Sequence, residues 1–256
     1  MEALTRLPEA AKPLISPVKS GKERARELEA LYGHLLPNEI IKLAVEELFP
    51  GDIASVSSFG ADSAVLLHLV ASVDTSTPVL FLETGKHFDE TLSYRDELVS
   101  ALGLTDLRNI TPLPEKLVTD DPDGLLHKTS TDACCAIRKV EPLARAVVPF
   151  AAWFTGRKRF QAETRAKLPV FEAVSERIRI NPLAGWGSED IAAYQELHAL
   201  PEHPLIPYGY YSIGCMPCTE PSSPDDPRAG RWKGKSKTEC GIHLGGLDSS
   251  LDSSSL

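Results

Sequence analysis

Apolar residues in the first half of the chain form short runs that alternate with longer stretches of helical spacing. Strand-like runs at Ile53–Ser57, Val79–Leu82 and Leu107–Ile110 are separated by helical stretches at residues 64–73 and Asp89–Leu102. Parallel strands need a crossover of about a dozen residues or more, so this spacing predicts βαβ units. We therefore expect an α/β fold with an open, mostly parallel twisted sheet and helices on both faces.

The same periodicities continue on either side of these units. They predict further helices at residues 22–34, 38–49 and 188–200, and later strands at residues 151–155 and 177–181. Prolines in residues 1–20 indicate an irregular N-terminal arm. Proline, glycine and serine after residue 201 indicate loops rather than core. We divide the chain into this arm, an α/β domain over residues 21–219, and a flexible C-terminal segment over residues 220–256.

Composition narrows the class of protein. The hydrophobic fraction of 42% and the charged fraction of 25% are typical of soluble globular proteins. A formal net charge of −9 argues against broad binding to nucleic acid or to anionic membranes. The N-terminus has no apolar signal segment, and no run approaches the roughly 20 apolar residues of a membrane span. We expect a cytoplasmic protein with neither nucleic acid nor membrane as a partner. The sequence leaves its oligomeric state open, a homo-oligomer included.

Basic residues are concentrated in two segments of this acidic chain. Residues 155–167 carry five, and residues 228–237 carry five more with no acidic residue between them. Such concentration indicates a focused site for a small anion. Two solvated surface faces are the alternative interpretation.

The turn between the first strand and the first crossover helix has the features of an anion-binding loop. It consists of Ser57, Ser58, Phe59, Gly60, Ala61, Asp62 and Ser63. Backbone N–H groups and a helix N-terminus would face an anion there, and Gly60 would permit close approach. The Gly-Lys-Ser/Thr end of a Walker A loop is missing. A plain strand-to-helix turn, capped by Ser58 or Asp62, is the alternative.

The five cysteines form an adjacent pair, a Cys-x-x-Cys motif and a single residue: Cys134 and Cys135, Cys215 and Cys218, and Cys240. An odd number in a reducing compartment does not suggest a disulfide framework. The adjacent pair can reach one centre only if the backbone is locally distorted. Four thiolates suit an iron–sulfur cluster, whereas zinc sites more often use two Cys-x-x-Cys knuckles. A cluster, zinc and buried unliganded thiols all remain open.

Cys240 stands apart, in the polar stretch Lys237-Thr238-Glu239-Cys240-Gly241-Ile242-His243. It follows the second basic segment, where cations would stabilise a thiolate. A mobile segment that carries a reactive thiol suits covalent catalysis in two stages, first on an enclosed substrate and then with an outside partner. An incidental surface cysteine is the alternative.

Taken together, these motifs resemble the sulfonucleotide reductases, a family of adenylyl sulfate and phosphoadenylyl sulfate reductases. The resemblance covers roughly residues 35–245 and rests on Ser58-Phe59-Gly60-Ala61-Asp62-Ser63, Leu82-Glu83-Thr84-Gly85, Cys134-Cys135 with Arg138-Lys139, Thr155-Gly156, Cys215-x-x-Cys218 and Glu239-Cys240-Gly241-Ile242-His243. Two positions depart from the family pattern. Glu83 stands where the family usually has Asp, and residues 157–161 read Arg-Lys-Arg-Phe-Gln.

The resemblance implies an adenine nucleotide α-hydrolase-like fold and a thioredoxin-dependent reduction of adenylyl sulfate to sulfite and AMP. Cys240 would be the nucleophile and carry an S-sulfocysteine intermediate. Lys139 would assist catalysis by linking the field of a 4Fe-4S cluster to the substrate, unless it is simply an exposed helix residue. The cluster would be held by Cys134, Cys135, Cys215 and Cys218. Thioredoxin, or a glutaredoxin, would supply the electrons.

For the substrate, the resemblance implies contacts from residues 57–63, Glu83, Arg159, Arg228, Arg231 and His243. Lys86 and His87 are weaker candidates after the second strand, and His68 is expected to pack in its helix. Within the family, a full set of cluster cysteines generally accompanies adenylyl sulfate as the substrate. Open alternatives are a phosphoadenylyl sulfate or dual-specificity reductase, an ATP-dependent thiolation enzyme with the same loop, and a non-enzymatic zinc module.

Overall fold

The structure, a computed structural model, describes residues 19–235, 237 and 239–243. Most of the expected N-terminal arm and all of residues 244–256 lie outside the described residues. The irregular arm and the mobile end of the chain therefore stay predictions.

The strands of the described chain build one sheet. They are β1 (Ile53–Ser57), β2 (Val79–Leu82), β3 (Leu107–Ile110), β4 (Ala152–Thr155), β5 (Phe171–Val174) and β6 (Arg177–Ile180). Their order in the sheet is β3-β2-β1-β4-β6-β5. Neighbouring strands are parallel except for the antiparallel pair of β5 and β6. The open, mostly parallel sheet predicted from the sequence is confirmed.

The α-helices of the described chain mostly connect or cover these strands. They are α1 (Gly21–Tyr32), α2 (Pro37–Leu43), α3 (Ser63–Ala71), α4 (Asp89–Leu102), α5 (Pro114–Asp120), α6 (Leu126–Thr129), α7 (Thr131–Cys135), α8 (Glu141–Val147) and α9 (Ser188–Leu197). Two π-helical turns, Ala44–Leu48 and Ala136–Val140, follow α2 and α7 directly. None of the described helices is long and apolar enough to cross a membrane.

Local sequence explains where several helices begin and end. Ser20 precedes α1, where its Oγ accepts a hydrogen bond from the backbone N–H of Glu23 and its own N–H donates to the Glu23 carboxylate. This reciprocal capping box satisfies donors that the first helical turn leaves unpaired. The helix α4 runs for 14 residues and stops at Gly103, whose φ of +64° favours glycine.

Helices cover both faces of the sheet, as the alternating side chains of the strands require. Ile53 of β1 packs in a buried cluster with residues of α2, α3 and α9. The next residue, Ala54, packs on the opposite face with residues of α8. A third cluster joins α3 and α4 to Val79 and Phe81 of β2. The expected two-sided cover is therefore confirmed.

The order of the strands reverses between β1 and β4. The chain runs from β1 to β2 and β3 on one side and then crosses back to place β4 on the other side of β1. In open α/β sheets, ligands bind outside the carboxyl ends of the strands at such a point. The loops that follow β1, β2 and β4 all begin at this edge.

Several elements differ from the sequence predictions. The helix expected at residues 38–49 is divided into α2 and a π-helical turn, and β5 was not predicted. The expectation of loops rather than core after residue 201 is only half right. No α-helix lies in that part of the described chain, yet His203, Leu205, Ile213 and Trp232 are buried there.

Candidate active site

Polar contacts tie together the loops at the carboxyl edge of the sheet. Lys158, after β4, donates from Nζ to Oδ2 of Asp62, after β1, over 2.6 Å. Arg138, in the π-helical turn after α7, donates to the backbone carbonyl of Thr84, after β2, over 2.7 Å. The turn that follows the adjacent cysteines is thereby held against the end of β2.

The loop after β1 is tightly folded. Ser57 Oγ accepts a hydrogen bond from the N–H of Phe59 over 3.1 Å. Phe59 has a φ of +48°, and its buried ring meets the ring of Phe81 edge-on. A Cβ on Gly60 would lie 3.4 Å from the carbonyl oxygen of Ile213. Glycine therefore leaves room between this loop and the segment that leads to Cys215.

Asp62 does not cap α3 through its side chain, although it occupies the N-cap position. Its carboxylate instead binds Lys158, which is 1% exposed, and also accepts a longer hydrogen bond from Gln161. The alternative interpretation of Asp62 as a capping residue is wrong. Because Lys158 compensates its charge, the loop can present backbone N–H groups to an anion without a free carboxylate that would repel it.

The other loop residues complete the turn. Ser58 is exposed, and the N–H of Ser63 donates to the carbonyl of Gly60 over 3.0 Å. The carbonyl of Ala61 accepts a hydrogen bond from Gln195 of α9 over 3.4 Å. The helix α3 starts at Ser63, so its N-terminus faces the same edge as Ser58.

The four paired cysteines line one cavity. Its wall consists of Cys134, Cys135, Cys215 and Cys218 together with Lys86, His127, Thr131, Arg138, Lys139, Pro217, Arg231 and Trp232. Cys134 and Cys135 end α7, and the π-helical turn that follows is a local distortion of the helix beside them. Cys215 precedes a 3₁₀ turn that ends at Cys218, and the N–H of Cys218 donates to the carbonyl of Cys215.

The surroundings of these thiols fit a group that is bound through sulfur. Thr84 Oγ1 lies 3.4 Å from Cys215 Sγ, within hydrogen-bonding distance. Burial raises the pKa of the Cys134 and Cys218 thiols, so a metal centre would be needed to hold them as thiolates. Within the described chain, no three His, Cys, Asp or Glu side chains are grouped tightly enough to hold one metal ion. Four cysteine sulfurs around one cavity are nevertheless the donor set of an iron–sulfur cluster.

Cys240 lies against Cys135 and is 8% exposed. A hydrogen bond from the Cys135 thiol lowers the pKa of Cys240 well below its ordinary value, while burial opposes this effect. Lys139 and Arg231 lower the pKa of Cys240 further through their positive charges. The hydrogen bond requires that Cys135 keep its proton, whereas the two cations act whatever Cys135 binds. Cys240 is therefore not a surface cysteine, and its role as the nucleophile stays a prediction.

Lys139 and Arg231 have no carboxylate partner in the described part of the chain. Lys139 is half-buried rather than an exposed helix residue. Burial opposes its charge, yet Cys215, Cys240 and Cys135 raise its pKa overall. Arg231 stacks on the ring of Trp232, and its buried Nε has no hydrogen-bond partner among the described residues. Two cations beside the Cys240 sulfur are thus left for an outside anion.

Other arginines near Cys240 are paired with carboxylates. Arg157 and Arg179 both bind Glu172. Arg165 and Arg228 both face Glu239, the residue before Cys240. Burial lowers the pKa of Arg157 and of Arg228 to about 10, which leaves both charged at neutral pH. These groups form a charged frame around the Cys240 segment, which consists of residues 239–243.

The remaining candidates occupy different positions. Glu83 accepts a hydrogen bond from the N–H of Gly85 over 2.8 Å and faces Arg95 of α4. Arg159 is exposed and donates to the carbonyl of Leu168. Neither side chain makes a contact with Cys240 in the described structure. Glu83 directly follows β2, and Arg159 lies in the loop after β4.

His243 follows Cys240 closely, and its N–H donates to the Cys240 carbonyl over 3.0 Å. Burial lowers the pKa of His243 well below its ordinary value, and surrounding arginines add to this effect. Its ring is therefore neutral, and Nδ1 is buried without a partner among the described residues. A neutral ring with an unpaired nitrogen can still accept or donate one hydrogen bond to a ligand.

The lesser candidates have structural contacts. Lys86 lines the cavity and donates to the carbonyl of Gly124 over 2.6 Å. His87 bonds the carbonyl of Leu82 over 2.9 Å. The imidazole of His68 bonds the hydroxyl of Tyr194 on α9 over 2.8 Å, in agreement with the packing role predicted for it.

The sequence did not point to a role for four residues near Cys240, namely Glu172, Arg179, Arg165 and Glu239. Arg165 lies in the first basic segment, which does point to an anion site. Arg179 lies on β6, where charged and apolar residues alternate as Arg-Ile-Arg-Ile, and it is only 5% exposed. Such alternation is typical of a strand with one solvent-facing side, so the sequence carries no signal that Arg179 is buried and needs a carboxylate partner. Its partner Glu172 lies on β5, which the sequence pattern did not indicate.

Comparison with known proteins identifies the class to which this fold and site belong. Residues 52–221 match the phosphoadenosine phosphosulfate reductase domain. A solved phosphoadenylyl-sulfate reductase from Candida auris, in a phosphate complex, superposes with a TM-score of 0.65 and 28% identity, over 78% of this chain and 97% of that one. The chain belongs to the phosphoadenosine phosphosulfate reductase family.

Two bacterial relatives are closer in sequence. The adenosine 5′-phosphosulfate reductase of Mesorhizobium japonicum is 63% identical over 234 residues, which are 91% of this chain and 92% of that protein. The adenosine 5′-phosphosulfate reductase of a Chelativorans species is 61% identical over 241 residues, or 93% and 97% of the two chains. Both matches extend over more than nine-tenths of this chain.

Proposed function

We propose that the protein is an oxidoreductase of sulfate assimilation that reduces adenylyl sulfate to sulfite and AMP. The observation that carries the proposal is the position of Cys240. It is a buried thiol beside two cations, Lys139 and Arg231, that lack carboxylate partners in the described chain. The names of the two bacterial relatives support adenylyl sulfate as the substrate.

In the first step, the Cys240 thiolate attacks the sulfuryl sulfur of adenylyl sulfate. A sulfur–sulfur bond forms, the bond from sulfur to the bridging phosphate oxygen breaks, and AMP leaves with that electron pair. Cys240 then carries an S-sulfonate. Negative charge develops on the phosphate and on the sulfuryl oxygens, and cations fixed beside them stabilise the transition state. Lys139 and Arg231 fill that role, and the unpaired Nε–H of Arg231 is a ready donor.

In the second step, a thiolate of thioredoxin attacks Cys240 Sγ and expels sulfite. The second thiol of thioredoxin then resolves the mixed disulfide, so thioredoxin supplies both electrons and is oxidised to its disulfide. A glutaredoxin can replace it. Because Cys240 is 8% exposed, its segment must open before a protein thiol can reach it. Reduced thioredoxin is abundant in the cytoplasm, where we place the enzyme.

The nucleotide half of the substrate is assigned to the loop after β1 and to Glu83. Backbone N–H groups of residues 58–63 and the N-terminus of α3 suit a phosphate. An acidic residue near the end of the next strand suits ribose hydroxyls, as in other α/β nucleotide sites. His243 and Arg228 are assigned to the sulfuryl and phosphate side, where both lie near Cys240.

A 4Fe-4S cluster is assigned to Cys134, Cys135, Cys215 and Cys218, whose thiols line one cavity. When bound, the cluster would organise the site structurally and electrostatically without passing electrons, since the chemistry proceeds in two-electron steps. Lys139 lines the same cavity and also acts on Cys240, so it can couple the charge of the cysteine cluster to the substrate.

Reduction of phosphoadenylyl sulfate is the second candidate. It is supported by the matched domain and by the Candida auris reductase. The two substrates differ only by a 3′-phosphate, so a direct comparison of both decides between them.

Mass spectrometry of the anaerobically purified protein tests the proposal. Mixed with adenylyl sulfate and no reductant, the wild type should gain one SO₃ group, and Cys240→Ser should gain none. Thioredoxin should then remove the group and release sulfite. An intact protein that forms no adduct with either sulfonucleotide would contradict the proposal and direct attention to ATP-dependent thiolation.

A further inference from the structure

Glu239 connects the Cys240 segment to two arginines of the charged frame, Arg165 and Arg228. Its carboxylate accepts two hydrogen bonds from Arg165, over 2.6 Å from Nε and 2.8 Å from Nη2. Arg228 approaches the same carboxylate to 3.6 Å. Oε1 of Glu239 also accepts a hydrogen bond from the backbone N–H of Cys240 over 2.9 Å. One side chain thereby anchors the segment and fixes the backbone of the nucleophile.

These contacts are almost free of solvent. The side chains of Arg165 and Glu239 are 7% and 5% exposed, and that of Arg228 is 20% exposed. A two-pronged arginine–carboxylate contact has a defined geometry as well as a large electrostatic attraction. In a buried site it holds its partners in one orientation far better than a single surface ion pair would.

Other contacts also hold the segment. Lys237, just before it, pairs with Asp132, and Cys240 forms a hydrogen bond with the Cys135 thiol. Arg179 donates to the carbonyl of Ile242 over 3.1 Å, and Ile242 packs against the cluster on the α8 face. Gly241 passes so close to Val140 that an added Cβ would lie 3.0 Å from its Cγ2. Within the described residues, Glu239 is the one carboxylate through which this segment pairs with arginine.

We propose that Glu239 is a positioning residue, and that Glu239, Arg165 and Arg228 form a latch that closes the Cys240 segment for attack and opens for discharge. The inference rests on the proposed function, because it assigns the closed and open arrangements to its two steps. In the closed arrangement, the Glu239 latch aims Cys240 at the space beside Lys139 and Arg231. In the open arrangement, the contacts of Glu239 with both arginines are broken and Cys240 is accessible to a protein thiol.

A latch slows the first step without slowing the second when it is weakened, which a merely structural residue would not do. Weakening it should slow formation of the S-sulfonate, because Cys240 is less well aimed. A misplacement of about 1 Å can reduce a rate about 100-fold. The same weakening should leave discharge by thioredoxin as fast or make it faster, because the segment opens more readily.

Single-turnover mass spectrometry of the cluster-loaded protein measures both steps. Adduct formation is followed with adenylyl sulfate alone, and discharge is followed after thioredoxin is added to the isolated adduct. For Glu239→Gln we expect adduct formation ~10- to 100-fold slower and discharge no slower than in the wild type. Glu239→Asp, which keeps the charge on a shorter side chain, should recover part of the first rate.

Glu220→Gln is the matched control. Glu220 is an exposed carboxylate that pairs with Lys233 at the surface of the same C-terminal part of the chain. Its removal should change neither rate. If Glu239→Gln does not fold, as judged by circular dichroism, Arg165→Lys decides the question. It keeps the charge but loses the two-pronged contact, and it should also slow adduct formation without slowing discharge.

The possible failures are distinguishable. A wild-type protein that forms no adduct would overturn the proposed function itself. A wild-type protein that forms the adduct, beside a folded latch variant whose two rates are unchanged or equally reduced, would overturn the latch alone.

Discussion

Two sets of cations meet at Cys240, and they differ in whether carboxylates compensate them. Arg157, Arg179, Arg165 and Arg228 face Glu172 or Glu239. Lys139 and Arg231 face cysteine sulfurs and have no carboxylate partner in the described part of the chain. The first, compensated set forms ion-pair networks within the protein. The second, uncompensated set leaves positive charge directed at the site.

The difference separates two uses of buried charge. A buried arginine with a carboxylate is satisfied within the protein, and removing either partner leaves the other exposed to the cost of desolvation. A buried cation without a carboxylate bears that cost until an anion binds. It recovers the cost when an anion binds, so its charge acts on affinity and rate rather than on folding.

The position of the Arg231 side chain also depends on a glycine in the neighbouring backbone. Gly214 lies against the Arg231 guanidinium so closely that any side chain there would collide with it. Arg231 Nη1 reaches the carbonyl of Ile213 over 3.2 Å, and its plane stacks on Trp232. Arg231 is thus held by neutral contacts that fix its position without cancelling its charge.

The largest effect is expected when a cation of the uncompensated set is removed. Arg231→Ala and Lys139→Ala should each slow S-sulfonate formation by ~10²–10³-fold, because each removes a charge that stabilises the transition state. Rapid-quench mass spectrometry with adenylyl sulfate measures this rate. Lys128→Ala, which removes an exposed cation of α6, is the control and should leave the rate unchanged. If both site variants form the S-sulfonate within twofold of the wild-type rate, the uncompensated cations do not stabilise the transition state. The contrast between the two sets of cations would then be wrong.

A smaller effect, on stability instead of rate, is expected from the compensated set. Glu172→Gln leaves Arg157 and Arg179 without their shared carboxylate, and should lower the free energy of unfolding by about 2–3 kcal/mol. The figure lies below that of a fully buried pair because the Glu172 side chain is 26% exposed. Urea unfolding measures it, and Glu115→Gln, an exposed carboxylate of α5, is the control.

The same variant has a pH signature. Burial opposes ionisation of Glu172, but Arg179 and Arg157 hold its pKa below the ordinary value of 4.5. Its stabilising contribution is therefore fully present above that value and is lost as the pH falls through the folded-state pKa. The difference between wild type and Glu172→Gln should shrink as the pH falls below 4.5. A difference that is constant with pH would show that the loss comes from packing instead of charge.

The contrast between the two sets also marks what the sequence could and could not predict. The strands β1, β2 and β3 were predicted with their observed bounds. The first two are short and mostly buried, whereas β3, Leu-Arg-Asn-Ile, is exposed at its two central residues and follows the second crossover helix. The strand β5 was missed because Phe-Glu-Ala-Val is short and places charged Glu172 toward arginines that only the fold brings near. Local pattern identifies elements, whereas pairing depends on contacts between distant residues.

The candidate site follows the same rule. Sequence spacing indicated the five cysteines and two basic segments, and the fold brings Cys134 and Cys135 to the same cavity as Cys215, 80 residues further along the chain. The sequence did not indicate which of the cations would be paired with a carboxylate. Arg165 and Arg231 look alike in the sequence, and only the contact of Arg165 with Glu239 distinguishes them.

The smallest effect is expected from an inorganic anion at the uncompensated set. Sulfate resembles the sulfuryl group, and at about ten times its dissociation constant it should stabilise the wild type by ~1.4 kcal/mol, or about 3–5 °C in melting temperature. Sodium chloride at equal ionic strength is the reference, which removes general screening. Arg231→Ala should lose most of this shift, while Glu172→Gln, although less stable, should keep it. An equal sulfate shift in both variants would mean that sulfate acts by exclusion from the surface, and that the two sets do not differ in their access to an anion.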